Sequence, residues 1–122
     1  MDEKRLIDIA SENDVSIVSF GSASISSIEG LEQIGSQLRE FITKNQPKKV
    51  VIDFDGVKFF SSQMLGLLVD IWKRLTGYGG VMHISGINPQ LSRVFRITNL
   101  VRIFKFYPDR KSALEAMGSQ QK

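Results

Sequence analysis

The chain has no cysteine among its 122 residues, which removes disulfide staples and every thiolate-based reaction. Such a composition suits a reducing cytoplasm. There is a single histidine, His83, so a zinc site built from the usual nitrogen and sulfur donors lacks ligands. No apolar run approaches the roughly 20 residues that cross a bilayer. The opening Met1-Asp2-Glu3-Lys4-Arg5 is not the start of an export segment. Net charge is small as well: +3, with a pI near 9.3, fits a solvated surface better than a nucleic-acid footprint. These absences predict a cytoplasmic domain with no cofactor, no metal, no nucleic-acid partner and no direct membrane insertion.

The length predicts one domain, residues 1–122, large enough to close a core unaided, with that core over about 6–117 and a polar tail from 118 to 122. Its organising stretch is 50–72. Val50 to Phe54 is a β-branched run that reads as a strand buried on both faces, and Met64 to Trp72 is apolar nearly all round a helix. Upstream, Leu6–Ala10 and Val15–Phe20 alternate around Ser11-Glu12-Asn13-Asp14, the pattern of a hairpin. Gly21 to Ser27 reads as a loop ending in capping serines. Ile28, Leu31, Ile34, Leu38, Phe41 and Ile42 follow helical spacing until Asn45-Gln46-Pro47. Downstream come a strand over 81–87, a helix opened by Asn88-Pro89 with Leu91, Val94, Phe95 and Thr98 inward, and an edge strand over 103–106. A last helix follows Pro108-Asp109, with Ala113, Leu114 and Met117 inward. Strands alternating with helices after a hairpin predict an α/β sandwich with a mixed sheet of four to five strands and about four helices.

Chemistry-bearing residues gather between the central strand and the second helix, where Ser61 and Ser62 are adjacent. The plainest reading makes Ser61 an N-cap and Ser62 a first-turn residue. Ser61-Ser62-Gln63-Met64 lacks the Gly-x-Ser-x-Gly elbow of serine hydrolases, and the chain is expected not to be an enzyme. Gly77-Tyr78-Gly79-Gly80 follows a helix and lacks the lysine of a phosphate loop, so it is a turn. Asp53 and Asp55 flank a strand end where small ligands bind in open α/β sheets, although loop hydrogen bonding is their commoner use. Arg93, Arg96, Arg102, Lys105, Arg110 and Lys111 make the last third basic, which suits solubility first and an acidic protein partner second.

The run Asp53-Phe54-Asp55-Gly56-Val57-Lys58-Phe59-Phe60-Ser61-Ser62-Gln63-Met64-Leu65-Gly66 resembles the core motif of the STAS domain family, of the bacterial anti-sigma factor antagonist type. That motif runs from a strand through Asp-Leu-Ser-Gly-Val and Asp-Ser-Ser-Gly-Leu-Gly into a helix. Leu91 to Tyr107 is similar to the family's helix, turn and short strand, and Ser112-Ala113-Leu114 to the start of its last helix, so the resemblance covers about 6–117. It implies a protein-interaction module in signalling and transcription regulation, whose partner is an anti-sigma factor that is also a serine kinase. Lys58, Phe59, Ser61, Ser62 and Gln63 would then form the partner-binding surface. In the family a serine at the start of the second helix accepts the phosphoryl group, and here Gln63 occupies that position. Either Ser62 or Ser61 takes its place, or the domain docks constitutively. The alternative within the family is a scaffold subunit of a larger complex, such as a lipid-transport ATPase or a stress-signalling assembly, without phosphorylation.

Overall fold

The first two strands, β1 (Ile7–Glu12) and β2 (Val15–Phe20), pair antiparallel around Asn13 and Asp14; contrary to the expected alternation, β1 buries only Ile7 and leaves Ile9 exposed, because it is the edge strand of the sheet. Both turn residues are left-handed, at φ 54° and 68°. This hairpin turn is where Asn and Asp are tolerated. The computed structural model describes residues 6–21, 24–25 and 27–119. Through the described chain follow β3 (Ser24–Ile25), α1 (Ile28–Asn45), β4 (Lys49–Asp53), β5 (Phe59–Phe60), α2 (Gln63–Gly77), β6 (Val81–Ser85), α3 (Pro89–Ile97), a 3-10 turn (Leu100–Arg102), β7 (Lys105–Tyr107) and α4 (Arg110–Ser119). Five strands form one mixed sheet in the order β1-β2-β4-β6-β7, antiparallel only between β1 and β2.

β4 lies at the centre and is buried on both faces, as its β-branched run predicts. Val50 and Ile52 belong to the larger core, with Ile34 and Leu38 of α1 and Leu68 and Ile71 of α2. Val51 points the other way, onto Ala113 and Met117 of α4. Leu91 and Phe95 anchor the nine-residue α3 to the larger core. Phe95 sits amid Phe60, Phe104 and Phe106, with ring centroids 5.9, 6.3 and 5.0 Å away.

Several expectations shift at element ends. Ile28 is largely exposed, because it is the first helical residue after the Ser27 cap, whose hydroxyl accepts from Gly30 N at 2.9 Å. β6 stops at Ser85, where Gly86 takes φ 73° with Asp53 Oδ1 only 2.7 Å from where a Cβ would stand. Thr98 is exposed rather than inward, its hydroxyl donating to Val94 O at 2.8 Å. The edge strand is shifted to Lys105–Tyr107 because the 3-10 turn consumes the residues before it. The last helix continues to Ser119, past the predicted start of the tail, and 120–122 lie outside the described residues. α2 is also less wrapped than its composition suggests. Met64, Leu65, Leu68, Ile71 and Leu75 are buried, Leu67 is half-buried and Gly66 is exposed.

His83 is a core residue of β6, 2% exposed, with its ring 5.2 Å from that of Tyr107 and no partner for Nδ1 among the described residues. Burial lowers its pKa below the usual 6.5, and the charge of Lys105 adds to that. The unfolded chain therefore binds a proton more readily, so this residue's contribution is complete above about pH 6.5 and is lost as pH falls through the folded value. Denaturant midpoints should accordingly drop between pH 7.5 and the acid side of that window, and His83→Gln should flatten the drop. An equal pH slope in both chains would contradict the assignment.

Candidate functional site

Two-residue strands position the corner ahead of α2. In β5 the two aromatics point to opposite sides, as strand geometry requires. Phe60 goes inward, between Phe54 at 5.4 Å and Phe95 at 5.9 Å, and Phe59 goes outward, 54% exposed. β5 pairs parallel with β3, and Ser61 N extends that ladder by donating to Ile25 O at 2.9 Å. Asn88 fastens the approach from the other side. Its Oδ1 caps α3 by accepting from Leu91 N at 2.8 Å, while its Nδ2 donates to Val57 O at 3.3 Å and Lys58 O at 3.4 Å. Gly56, at φ 88°, makes the turn that starts this approach.

The two serines differ in access. Ser61 is half-buried, with its Oγ enclosed and without a hydrogen-bond partner among the described residues. Ser62, not Ser61, is the N-cap residue of α2, and it is exposed. Its backbone is already helical at φ −62° and ψ −20°, so its hydroxyl makes no capping bond and stays uncommitted among the described residues. The amides of Met64 and Leu65 turn back instead onto the carbonyls of Ser61 and Ser62, both at 3.0 Å. Lys58 and Gln63 are exposed beside them. The five residues singled out in the sequence thus lie together around one helix start, with Ser61 recessed.

Gly66 lies four residues after Ser62, on the same side of the helix. A glycine within a helix often marks close packing, yet a Cβ at Gly66 would meet nothing within 4 Å among the described residues. A glycine inside a helix costs about 1 kcal/mol relative to alanine. Nothing inside the described chain recovers that cost, so the bare stretch of α2 is an open surface next to Ser62.

Asp53 serves the scaffold, and Asp55 joins it through its backbone N. Asp53 is buried; its Oδ1 accepts from Ser85 Oγ at 3.0 Å and Asp55 N at 3.2 Å, and its Oδ2 accepts Nε and Nη2 of Arg110, each at 3.0 Å. That network clasps the start of α4 to the ends of β4 and β6. It also takes Arg110 out of the set of free cations. Among the described residues no group of three or more His, Cys, Asp or Glu is placed to hold a metal. No helix among them is long and apolar enough to cross a membrane.

The structure is thus a mixed α/β sandwich that presents a polar helix start beside an exposed aromatic. A family model described as STAS domain matches residues 9–113, and the chain belongs to that family. An anti-sigma-factor antagonist (STAS) domain protein from Planctomyces limnophilus superposes with a TM-score of 0.84 at 31% identity, covering 92% of this chain and 97% of that one. A Thermotoga neapolitana homologue of the protein TM1081 is 36% identical over 76 residues, 62% of this chain and 66% of that relative. The anti-sigma F factor antagonist of Paenibacillus polymyxa is 25% identical over 83 residues, 68% of this chain and 71% of that relative. The chain therefore spans about two thirds of the length of these two relatives.

Gly66 and Asn88 stand beside the candidate site without having been singled out for it in the sequence. An apolar-helix pattern hides an exposed glycine, and an Asn-Pro helix start shows the cap but not what the other half of the amide holds.

Proposed function

We propose that this chain is a non-enzymatic interaction module of the anti-sigma factor antagonist kind, working in the cytoplasm. It docks the start of α2 onto an anti-sigma factor or a related serine-kinase regulator. The observation that carries this reading is the exposed, uncommitted hydroxyl of Ser62, flanked by outward Phe59 and the bare surface at Gly66. Phe59 supplies an apolar anchor, Lys58 and Gln63 supply polar contacts, and Gly66 allows a partner backbone to approach closely. The relatives named as anti-sigma factor antagonists support the same direction.

The geometry favours Ser62 over Ser61 as a phosphoacceptor. A phosphoryl group on Ser62 would bring about −1.5 to −2 charges to the positive end of the α2 dipole, which the fold tolerates. The same charge and bulk would stand between the domain and a docked partner. Enclosure of Ser61 Oγ keeps a kinase from reaching it without opening the corner. Incubation with the regulator and ATP, followed by mass spectrometry, should place phosphate on Ser62 alone. Phosphate on Ser61 would contradict the assignment. Phosphate on neither would favour constitutive docking as a scaffold subunit, a reading supported by exposed Gln63 at the family's acceptor position.

Gly66 offers a test with two opposed readouts. Gly66→Ala should raise unfolding stability by about 0.5–1 kcal/mol, because helix propensity improves and no side chain is crowded. It should also weaken regulator binding. Stability and binding that rise together would remove Gly66 from the docking surface.

A further inference from the structure

The small net charge of the whole chain conceals a segregation. No aspartate or glutamate occurs between Asp70 and Asp109, a run of 38 residues that holds six lysines and arginines. Thirteen acidic residues spread evenly over 122 would place about four in that run. Several cations of the chain are matched to acids: Arg39 and Arg74 to Asp70, Lys44 to Glu40, Arg110 to Asp53. Among the described residues the guanidinium groups of Arg93 and Arg102 have no hydrogen bond or ion pair, and that of Arg96 reaches only Ser92 Oγ, at 3.3 Å.

Spacing puts Arg93, Arg96 and Ile97 on one stripe of α3, facing away from the buried Leu91 and Phe95. Ile97 is 75% exposed, and Val101, 41% exposed, follows in the next turn beside Arg102. A groove of about 570 Å³ lies beside the N-terminal part of the stripe, lined by Ser92, Arg93 and Arg96 and by Phe106, Tyr107 and Pro108. Unneutralised arginines beside stranded aliphatic side chains are a mixed surface, basic and apolar together.

We propose that this α3 ridge is a second docking surface, separate from the α2 corner, for an acidic protein segment that carries aliphatic anchors. Carboxylates of the segment pair with Arg93, Arg96 and Arg102, for which the guanidinium fork is suited. Its aliphatic side chains cover Ile97 and Val101. The surface fits other polyanions less well. Single-stranded nucleic acid wants exposed aromatic platforms, whereas Phe95 and Phe104 are buried and Phe106 half-buried. A membrane surface wants a free apolar helix face, whereas that face of α3 is already spent on the core.

The test is fluorescence anisotropy with a labelled dodecapeptide of glutamates bearing two leucines, titrated with the wild-type chain. A leucine-free glutamate peptide, a single-stranded oligonucleotide and phosphatidylserine vesicles serve as competitors. The leucine-bearing peptide should bind saturably and more weakly as salt rises. Arg93→Glu/Arg96→Glu should weaken it by about tenfold or more and Ile97→Ser by a few-fold, while Ser62→Ala leaves it unchanged. These are exposed positions, and circular dichroism should show the wild-type fold in each. No saturable binding, equal binding by the double variant, or stronger competition by oligonucleotide or vesicles than by the glutamate peptide would overturn the proposal.

Discussion

Phe95→Ala should lower the free energy of unfolding by about 3–5 kcal/mol, the cost of emptying a large, fully buried aromatic site. The ring is the hub on which Phe60, Phe104 and Phe106 converge, so its loss also removes edge-to-face contacts worth about 0.5–1.5 kcal/mol each. Those neighbours belong to β5, to the turn before β7 and to β7 itself. The cavity would consequently loosen several short elements at once. α3 is the most vulnerable of them, because nine residues cannot hold a helix in water without tertiary support, and Leu91 would be its one remaining fully buried anchor. Denaturant unfolding should show the drop, and hydrogen exchange should show α3 amides losing protection first. Phe95→Leu, which keeps most of the volume, should retain much of the stability. A loss below about 1 kcal/mol for the alanine variant would mean that the cluster collapses onto the gap, contrary to this packing.

The second large effect lies at the other aromatic of β5. Phe59→Ala should leave stability within about 0.5 kcal/mol of wild type, since the ring is mostly in solvent. It should nevertheless cost about 2 kcal/mol of regulator affinity, roughly thirtyfold, as truncation of an aromatic interface anchor does. Paired calorimetric titration and chemical denaturation separate the two quantities. Adjacent residues in the chain, Phe59 and Phe60, would then report on function and folding respectively. A Phe59→Ala chain that binds like wild type would show that the aromatic is only surface, and the docking site would have to be drawn without it.

Much of the architecture is legible in the residues because it follows from periodicity. The one-faced α1 and the uninterrupted Val50-Val51-Ile52 each have one sensible burial pattern, and the fold uses it, whereas β1 buries only Ile7 and leaves Ile9 exposed where alternation would turn it inward. Helix ends are legible where a side chain caps them, as at Ser27, Asn88 and Asp109, the last of which accepts from Ser112 N at 2.8 Å. What stayed hidden depends on distant partners or very short runs. Two-residue β3 and β5 carry no period, yet their pairing sets which way Phe59 points. Asp53 looks like a loop aspartate until Arg110, 57 residues later, closes on it. The serine pair and the family motif are what place the proposed docking surface at this corner. The different fates of Ser61 and Ser62 were not legible, because only the fold decides which hydroxyl is enclosed.

The most direct measurement is a titration of the purified regulator with the wild-type chain and with Ser62→Asp, with unfolding curves recorded on both. Unchanged stability, within about 0.5 kcal/mol, together with an affinity loss of at least about tenfold is the predicted result. Equal affinity for the two folded chains would contradict the assignment of the α2 start as the docking surface.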